Sequence, residues 1–328
     1  MQRRFRSFQF HRFQIRALRL VGAQFAFMLL CALPAPSAMA DPFSLGGSDL
    51  YTRALAAAPS AASEVAQEKP TGAPNLLLRN SLIIGTGAAL VATYGSYNWW
   101  RSGFGGGFDT TNEGWFGADT QYGGADKLGH LFSNYAGVRL LTPLFESAGN
   151  GRDASVSLAA WSTLGIYTGV EVVDGFSRRW KFSPQDEIAN AAGALLGMAL
   201  ETHPELDAIF DVRVDYRRSP RSTHWDPFGD YSSQRYLFVV KADGFATLRE
   251  NRALRYLEFA VGYGTRGYDT GGDRHRDAYV GISLNLSRLL SDTAYEGRMH
   301  STSFQRGTDR LFELVQFPTV VYGHRSLD

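Results

Sequence analysis

Three groups of polar residues interrupt otherwise apolar stretches in the middle of the chain. Asp126 and His130 are four residues apart, so they share one face of a predicted helix. Glu171 lies near the end of a long apolar run, where a carboxylate must find a partner or take up a proton because burying an isolated charge is costly. Asp186 and Asn190 are again four residues apart on one helix face. If these faces pack together, the five side chains form one polar centre.

Some of these residues also have simpler structural explanations. Asp126 lies in the first turn of its predicted helix, where the helix dipole favours an acid. The run Ser183–Asp186 has a capping serine, a proline at the first helical position and an acid, which is typical of a helix start. Gly193 and Gly197 continue the face of Asp186 and would let another helix come close.

The polar centre therefore has three alternative interpretations. Imidazole and carboxylate ligands suit a divalent metal such as Zn, Mn or Fe, with His130, Glu171 and Asp186 as the ligands. The same groups suit general acid–base chemistry, with a raised pKa at Glu171 and a histidine that titrates near neutrality. The third alternative is a satisfied polar network that fixes the helix register, with Lys127 or Arg178 pairing the acids.

Composition argues against several other classes of protein. The chain has 33 Lys and Arg and 32 Asp and Glu; residues 1–40 carry six of the Arg and no acid, so the remainder has a net charge of about −5. A mildly acidic chain lacks the electrostatic footprint of a nucleic-acid binder, and no nucleic-acid partner is expected. Cys31 is the single cysteine, which excludes a disulfide framework, a thiolate metal site and a cysteine nucleophile from the rest of the chain.

Other chemical motifs are weak or missing. The sequence has no Gly-x-Ser-x-Gly, so the simplest serine-hydrolase interpretation has no support. The glycines of residues 103–107 are not followed by Lys-Ser or Lys-Thr, and a nucleotide site is not predicted. The remaining histidines after the leader have no paired spacing and are predicted to be surface or loop residues: His203, His224, His275, His300 and His324.

The N-terminal 40 residues are typical of a secretory signal peptide. Six arginines precede the apolar run Val21–Leu33, which is too short to span a bilayer stably, and Ala38-Met39-Ala40 offers small residues for cleavage. Leu30 precedes Cys31 where a lipoprotein signal has a small residue, so we predict a cleaved, unlipidated chain. The expected location is the periplasm, or a membrane-associated position, in the bacterial cell envelope.

Beyond the leader, the hydrophobic pattern divides the chain into four further segments. Residues 41–75 are Ala- and Pro-rich and are predicted to be a flexible linker. Residues 76–204 are predicted to form a bundle of about four apolar helices, over 81–100, 126–146, 154–173 and 187–200. The first and third of these reach about 20 residues, the length that a bilayer needs. Whether the bundle is embedded in a membrane or rests on one is left open.

The last third of the chain changes from a helical period to a period of two. Residues 205–234 are predicted to be a linker, and residues 235–328 a small antiparallel β domain. Four strands are expected, with a hairpin turn at Ala242-Asp243-Gly244 and a last strand over Leu311–Tyr322. A closed membrane barrel needs at least eight strands, so the sheet is expected to pack on the bundle or a membrane. The fold class is therefore α+β.

The residues of the polar centre lie in runs that resemble a known family. Gly124-Ala125-Asp126-Lys127-Leu128-Gly129-His130, then Glu171, then Phe182–Asp186 and Asn190-Ala191-Ala192-Gly193 resemble the YfiM-like predicted periplasmic lipoproteins, which have no assigned function. The same order is similar to the VanZ-like membrane proteins. The resemblance covers about residues 95–200. It implies an envelope location and joint action of Asp126, His130, Glu171, Asp186 and Asn190, without a reaction.

Two functions from different classes are expected. The first is a structural or binding role in envelope maintenance, in which the bundle or the sheet engages membrane lipid, cell-wall material or a protein partner. The second is an envelope enzyme, with or without a divalent metal as cofactor, that acts on a lipid-linked or cell-wall substrate.

Overall fold

The computed structural model describes residues 75–218, 226–268 and 272–328. The predicted signal peptide (1–40) and all but the last residue of the predicted linker (41–75) lie outside this range. Within the described residues, four long helices come first: α1 Leu76–Asn98, α2 Ala125–Ser147, α3 Arg152–Phe176 and α4 Pro184–Thr202. A single turn, α5 Pro204–Asp207, follows. The predicted helical region is confirmed, with boundaries shifted by a few residues.

The helices begin where local signals place them. The Ser183 hydroxyl accepts a hydrogen bond from the Asp186 backbone N–H at 3.3 Å, and Pro184 occupies the first helical position of α4. Before α2, Gly124 adopts a φ of +86°, a conformation that a residue with a Cβ rarely adopts.

Helix α2 is the centre of the bundle and packs most closely on α4. A Cβ on Gly193 would lie 2.0 Å from the carbonyl oxygen of Leu131, and one on Gly197 would lie 2.8 Å from the Cβ of Val138. Only glycine at these two positions permits this separation, so the close approach expected from the sequence is observed. The two helices run parallel, which brings both N-terminal ends to the same side of the molecule.

Helix α1 lies alongside α3, with the ends of the two helices tied together. Arg79 donates to the Ala148 carbonyl at 3.1 Å near one end, and the Trp100 indole N–H donates to Asp174 at 2.6 Å near the other. Gly95 is the one buried residue of α1. Among the described helices, α1 and α3 are long and apolar enough to cross a membrane, judged by length and composition alone. In the most apolar stretch of α1 no residue is fully buried, whereas 39% of the residues in that of α3 are.

A five-stranded antiparallel sheet follows the bundle in the described part of the chain, with the strands in sequence order. The strands are β1 Phe210–Tyr216, β2 Gln234–Lys241, β3 Leu257–Arg266, β4 His275–Leu284 and β5 Val321–Ser326. The helices between them are α6 Ala246–Glu250, α7 Leu286–Ala294 and α8 Ser303–Leu314. The α+β class and the antiparallel sheet are confirmed.

Three details of the predicted β region differ from the structure. Strand β1 lies in the segment predicted to be a linker (205–234); its Asp and Arg residues alternate with apolar ones and are buried through ion pairs of Arg213 with Asp211 and Glu258. Ala242-Asp243-Gly244 is a 3₁₀ turn that leads into α6, so β2 and β3 pair through a longer connection than a hairpin.

The third difference concerns the run predicted to be the last strand, Leu311–Tyr322. Its first part ends helix α8, whose start is capped by the Thr302 hydroxyl accepting from the Gln305 N–H at 3.1 Å. Strand β5 begins only at Val321, after Pro318. A short apolar run does not by itself distinguish a helix end from a strand.

The bundle and the sheet share one apolar core. Phe132 of α2 lies against Tyr236 of β2, and the Val212 backbone N–H of β1 donates to the Tyr135 hydroxyl at 3.4 Å. Leu200 of α4 belongs to the same cluster. The sheet therefore fixes the position of α2, which carries two of the candidate site residues, Asp126 and His130.

Candidate polar centre

The five predicted site residues meet at one end of the bundle. Asp126 and His130 lie in the first turns of α2, Asp186 and Asn190 in the first turns of α4, and Glu171 near the end of the antiparallel α3. His130 Nδ1 lies 3.6 Å from Glu171 Oε1, and His130 Nε2 lies 3.9 Å from Asp186 Oδ2. Two helix N-termini point at the cluster, which favours negative charge there.

Asn190 fixes which nitrogen of His130 carries a proton. Asn134 donates its amide to Asn190 Oδ1 at 2.7 Å, and Asn190 donates its own amide to Glu187 Oε2 at 3.3 Å. The carbonyl oxygen of Asn190 therefore faces His130 Nδ1, at 3.0 Å, and accepts its N–H. In the neutral ring, Nε2 then carries the lone pair on the side of Asp186. Asn134, which is fully buried, was not identified from the sequence.

Lys127 lies at the centre of a second group of acids. Its ammonium contacts Asp126 and Asp186, each at 2.8 Å, and Glu113. The predicted pairing of Lys127 with the acids is observed. Arg178, the other cation expected there, instead donates to the Phe104 carbonyl at 2.9 Å. Glu113 was missed because it lies in an irregular loop, where no periodicity marks a residue as inward-facing.

Two further carboxylates at the end of α3 have few hydrogen-bond donors. Glu171 is 1% exposed and accepts the Ser183 backbone N–H at 3.3 Å. Asp174, one turn later, accepts the Trp100 indole N–H. Because the end of a helix carries partial negative charge, neither carboxylate is stabilised by the dipole of α3.

Burial without full charge compensation raises the pKa of several of these acids. It raises the pKa of Glu171 to about 8 against the opposing charge of His130, and that of Asp174 to about 6. Burial and Asp186 together raise the pKa of Glu113 to about 7. Burial opposes ionisation of Asp186 too, but His130 and Lys127 outweigh it and lower its pKa. For His130, burial is outweighed by Asp186 and Glu171, and its pKa is raised.

A cavity of about 80 Å³ opens beside these groups. Its inner wall includes His130, Glu171 and Asp186, and the loop between α3 and α4 supplies Arg179 and Lys181, both exposed. A polar cavity needs roughly 10–15 Å³ to hold a water molecule, so this one has room for a hydrated ion or a small polar group.

Two trios of side chains in the described residues have the geometry to hold a metal ion. The ligand atoms of His130, Glu171 and Asp186 all lie within 4.8 Å of one another, as do those of Glu113, Asp126 and Asp186. The Lys127 ammonium already contacts all three acids of the second trio. The first trio includes the imidazole nitrogen and is the better fit for Zn or Mn.

The other histidines take no part in this centre where the structure describes them. His203, His275, His300 and His324 are exposed. His300 lies 3.0 Å from Asp309, an ion pair that the sequence spacing did not suggest. His224 lies outside the described residues.

Comparison with known proteins agrees with the expected location of the chain. Residues 112–202 match the family described as "Predicted periplasmic lipoprotein (DUF2279)", and that segment contains every acid, amide and cation of the centre described above, from Glu113 to Asn190. No curated protein and no solved structure matches the chain. The chain is an exported protein of the bacterial envelope, periplasmic or membrane-associated.

Two finer expectations are not tested by these comparisons. The description of the matched family names neither the YfiM-like nor the VanZ-like proteins, and that resemblance stays a prediction. The description of the matched family names lipoproteins, whereas the sequence predicts that Cys31 carries no lipid. Cys31 lies outside the described residues, so this also stays a prediction.

Proposed function

We propose that this chain is a membrane-associated envelope protein whose helical bundle binds a divalent metal ion through His130, Glu171 and Asp186. The observation that carries the proposal is the convergence of these three ligand atoms within 4.8 Å, from three separate helices. In a tetrahedral zinc site with bonds of about 2.0–2.1 Å, neighbouring ligand atoms lie roughly 3.4 Å apart. When an ion binds, Nε2 and Asp186 must therefore close from 3.9 Å by about 0.5 Å, and any pair at the 4.8 Å limit by about 1.4 Å.

The charges around the cavity support a cation. Six carboxylates among the described side chains line it, and Lys127 or His130 contacts four of these, Glu113, Asp126, Glu171 and Asp186. The other two are Asp174 and Asp226. Buried charge that is not compensated must be neutralised by protons or by a bound cation. A divalent ion supplies two positive charges where Glu171 and Asp186 are closest to the imidazole.

The hydrogen bond to Asn190 supports the same role. Metal-binding histidines usually donate the N–H of the other ring nitrogen to an oxygen acceptor, which fixes the ring and raises its basicity. Asn190 provides that acceptor for Nδ1 and is itself held by Asn134 and Glu187. Nε2 is left on the side of Asp186, and both residues line the cavity.

The test is metal binding by the purified full chain. After chelation and reloading, elemental analysis should show about one Zn or Mn per chain, and His130→Ala should weaken binding by at least about 100-fold. His203→Ala, an exposed histidine on α4's C-cap, is the matched control and should bind as the wild type does. Glu113→Gln should retain binding, because its trio is filled by Lys127. Sub-stoichiometric metal, or equal binding by His130→Ala and wild type, would overturn the proposal.

A second candidate function is an envelope enzyme that uses the same groups for acid–base chemistry on a lipid-linked or cell-wall substrate. The observation that favours it is a raised pKa at Glu171, to about 8, beside an imidazole whose tautomer is fixed. In a strain that depends on this chain, His130→Ala and Asp186→Asn should then abolish function while the purified variants stay folded and chelators have no effect. Loss of folding in both variants would instead support a structural network.

A further inference from the structure

A long apolar groove runs between α1 and α3 on the outside of the bundle. It encloses about 650 Å³, and most of its lining is aliphatic, including Ile84, Ala88, Val91, Ile166, Val170 and Val173. On α3 it extends from Ser157 to Val173, which at 1.5 Å per residue is roughly 24 Å. One leaflet of a bilayer has a hydrocarbon thickness of about 15 Å, so the groove is long enough for a lipid chain.

The groove meets the polar cavity at the end of α3. Val170 lines both spaces. Trp100 lines the groove and donates its indole N–H to Asp174, which lines the cavity, so this hydrogen bond lies at the junction. Indole groups with a dry face and a hydrogen-bonded N–H are typical of positions where hydrocarbon meets polar groups. The groove and the cavity therefore form an apolar space that leads directly into a polar one.

The rim of the cavity carries two cations, of which Lys181 also lies 3.4 Å from the exposed carboxylate of Asp109. Arg179 and Lys181 line the cavity and are exposed, and the Arg179 guanidinium lies over the Trp180 ring at 4.5 Å. The carboxylates lie on the inner wall around His130. An anionic headgroup would be repelled by those acids unless a cation lay between them, so its place is at the basic rim.

We propose that the groove and the basic rim together bind one phospholipid, with an acyl chain between α1 and α3 and the phosphate at Arg179 and Lys181. Apolar contact supplies most of the affinity, and the rim selects the charged headgroup. The assignment of the headgroup depends on the polar centre proposed above, whereas the assignment of the acyl chain depends only on the groove.

Two glycines allow the groove to be filled without disturbing the bundle. Gly165 and Gly169 line it, and a Cβ built on either meets nothing within 4 Å. Gly169→Phe therefore places a ring in the groove. Gly85→Phe is the matched control, because Gly85 lines a separate surface pocket on α1 and its Cβ also meets nothing within 4 Å.

The experiment measures tryptophan quenching by phosphatidylglycerol with brominated acyl chains, in detergent micelles, on the full chain. Trp100 and Trp161 line the groove and report on bromine there. Quenching should saturate for the wild type and for Gly85→Phe, and the midpoint should rise at least tenfold in Gly169→Phe. Quenching that rises in proportion to lipid, or that is the same in all three proteins, would overturn the proposal, since α1 and α3 would then simply face bulk lipid.

Two further arms separate the parts of the proposal. The double variant Arg179→Gln/Lys181→Gln should weaken binding of brominated phosphatidylglycerol several-fold and leave brominated diacylglycerol unchanged; equal effects on both would overturn the assignment of the rim. His130→Ala removes metal binding but should keep saturable quenching, while Gly169→Phe should keep metal binding. Failure of the metal proposal and failure of the lipid proposal therefore give different results.

Discussion

Two buried charged clusters lie along α2, and they differ in how their charges are balanced. In the Arg139 cluster, the guanidinium contacts Glu201 at 2.9 Å, Asp207 at 2.5 Å and Glu313 at 3.0 Å. Arg310 contacts Glu201 and Glu313 as well, at 3.1 and 2.9 Å. In the His130 cluster, by contrast, the imidazole lies 3.6 and 3.9 Å from its two carboxylates and a cavity opens beside it.

The pKa values of the two clusters move in opposite directions at their central acids. Burial would raise the pKa of Glu313, but Arg310 and Arg139 outweigh it and hold it at about 2. Burial raises the pKa of Glu171 to about 8 because His130 compensates it only in part. Asp207, at the more exposed edge of the Arg139 cluster, is raised to about 6 by burial and by Glu313.

This difference distinguishes a cluster that holds the fold together from one that can bind something. The Arg139 cluster connects α2 and α4 to α8, and each of its three acids is in direct contact with a guanidinium. The His130 cluster has acids in excess, a fixed imidazole and open volume. Substitutions in the first should therefore lower stability at neutral pH, and substitutions in the second should change binding and the pH dependence of stability.

The largest effect is expected at Arg139. Arg139→Met leaves the buried Glu201 and the partly buried Asp207 and Glu313 beside one another without their central cation, and the free energy of unfolding should fall by about 3–5 kcal/mol. Urea denaturation measures this. Arg298→Met, which removes an exposed ion pair with Glu296, is the control and should change stability by less than about 1 kcal/mol. A loss at Arg139 no larger than the control's would remove the structural role of that cluster.

The next effect concerns the pH dependence of the free energy of unfolding, which should have opposite signs in the two clusters. It is measured with a chelator present, so that no metal is bound. The pKa of Glu171 is raised from 4.5 to about 8 on folding, so wild-type stability should fall as pH rises from about 4.5 to about 8. Glu171→Gln has no such proton and should gain about 2 kcal/mol relative to wild type between pH 6 and pH 7.5.

Glu313→Gln is the matched comparison from the other cluster. Its folded pKa of about 2 lies below the usual 4.5, so the ionised Glu313 stabilises the fold above about pH 4.5 and loses that contribution as pH falls towards 2. Glu313→Gln should be less stable than wild type at neutral pH, with a gap that closes in acid. The same pH dependence for both variants would contradict the contrast between the clusters.

A smaller effect is expected on metal affinity at Asn190. Asn190→Ala removes the acceptor for His130 Nδ1 and should weaken Zn binding by about 10–100-fold, or about 1.4–2.7 kcal/mol, measured by competition with a chelator. Asn150→Ala removes a hydrogen bond with Asn80 at the other end of the bundle and should leave Zn affinity unchanged. Unchanged affinity in Asn190→Ala would show that the ring is not positioned through this bond.

The smallest effect is expected at the start of α4. Ser183→Ala removes the cap of the helix that carries Asp186 and should cost about 1 kcal/mol of stability. Thr302→Ala removes the equivalent cap of α8 and should cost a similar amount. Zn affinity should fall in Ser183→Ala but not in Thr302→Ala. A fall in both variants would mean that Zn affinity depends on overall stability and not on the position of Asp186.

Much of the helical region could be predicted because its signals are local. The cap and proline before α4, the four-residue spacing of Asp126 and His130, and the two small residues at Gly193 and Gly197 each act through neighbours a turn or two away. The β region was predicted less well for the same reason. Strand β1 carries charged residues whose partners, such as Glu258, lie far along the chain, and without those partners its sequence favours a polar linker.

The balance of charge at the candidate site could not be predicted. Glu113 reaches Lys127 from an irregular loop, and Asn134 meets Asn190 across two helices. The sequence named Lys127 and Arg178 as equal candidates to pair the acids, and the fold brings only Lys127 to them. Whether an acid has a cation beside it depends on the distances between helices, strands and loops in space. Residue spacing along the chain does not give those distances.

By itself the sequence determined the helices, their polar faces and the exported character of the chain, because hydrophobic period, caps and composition act over a few residues. The tertiary structure alone decided that α2 and α4 run parallel with their N-termini beside the end of α3, and so that His130, Glu171 and Asp186 converge. It also decided that one cluster on α2 is filled by guanidinium groups while the other keeps open volume. Electrostatic energy depends on separation in space and on exclusion of water, and both are set by packing.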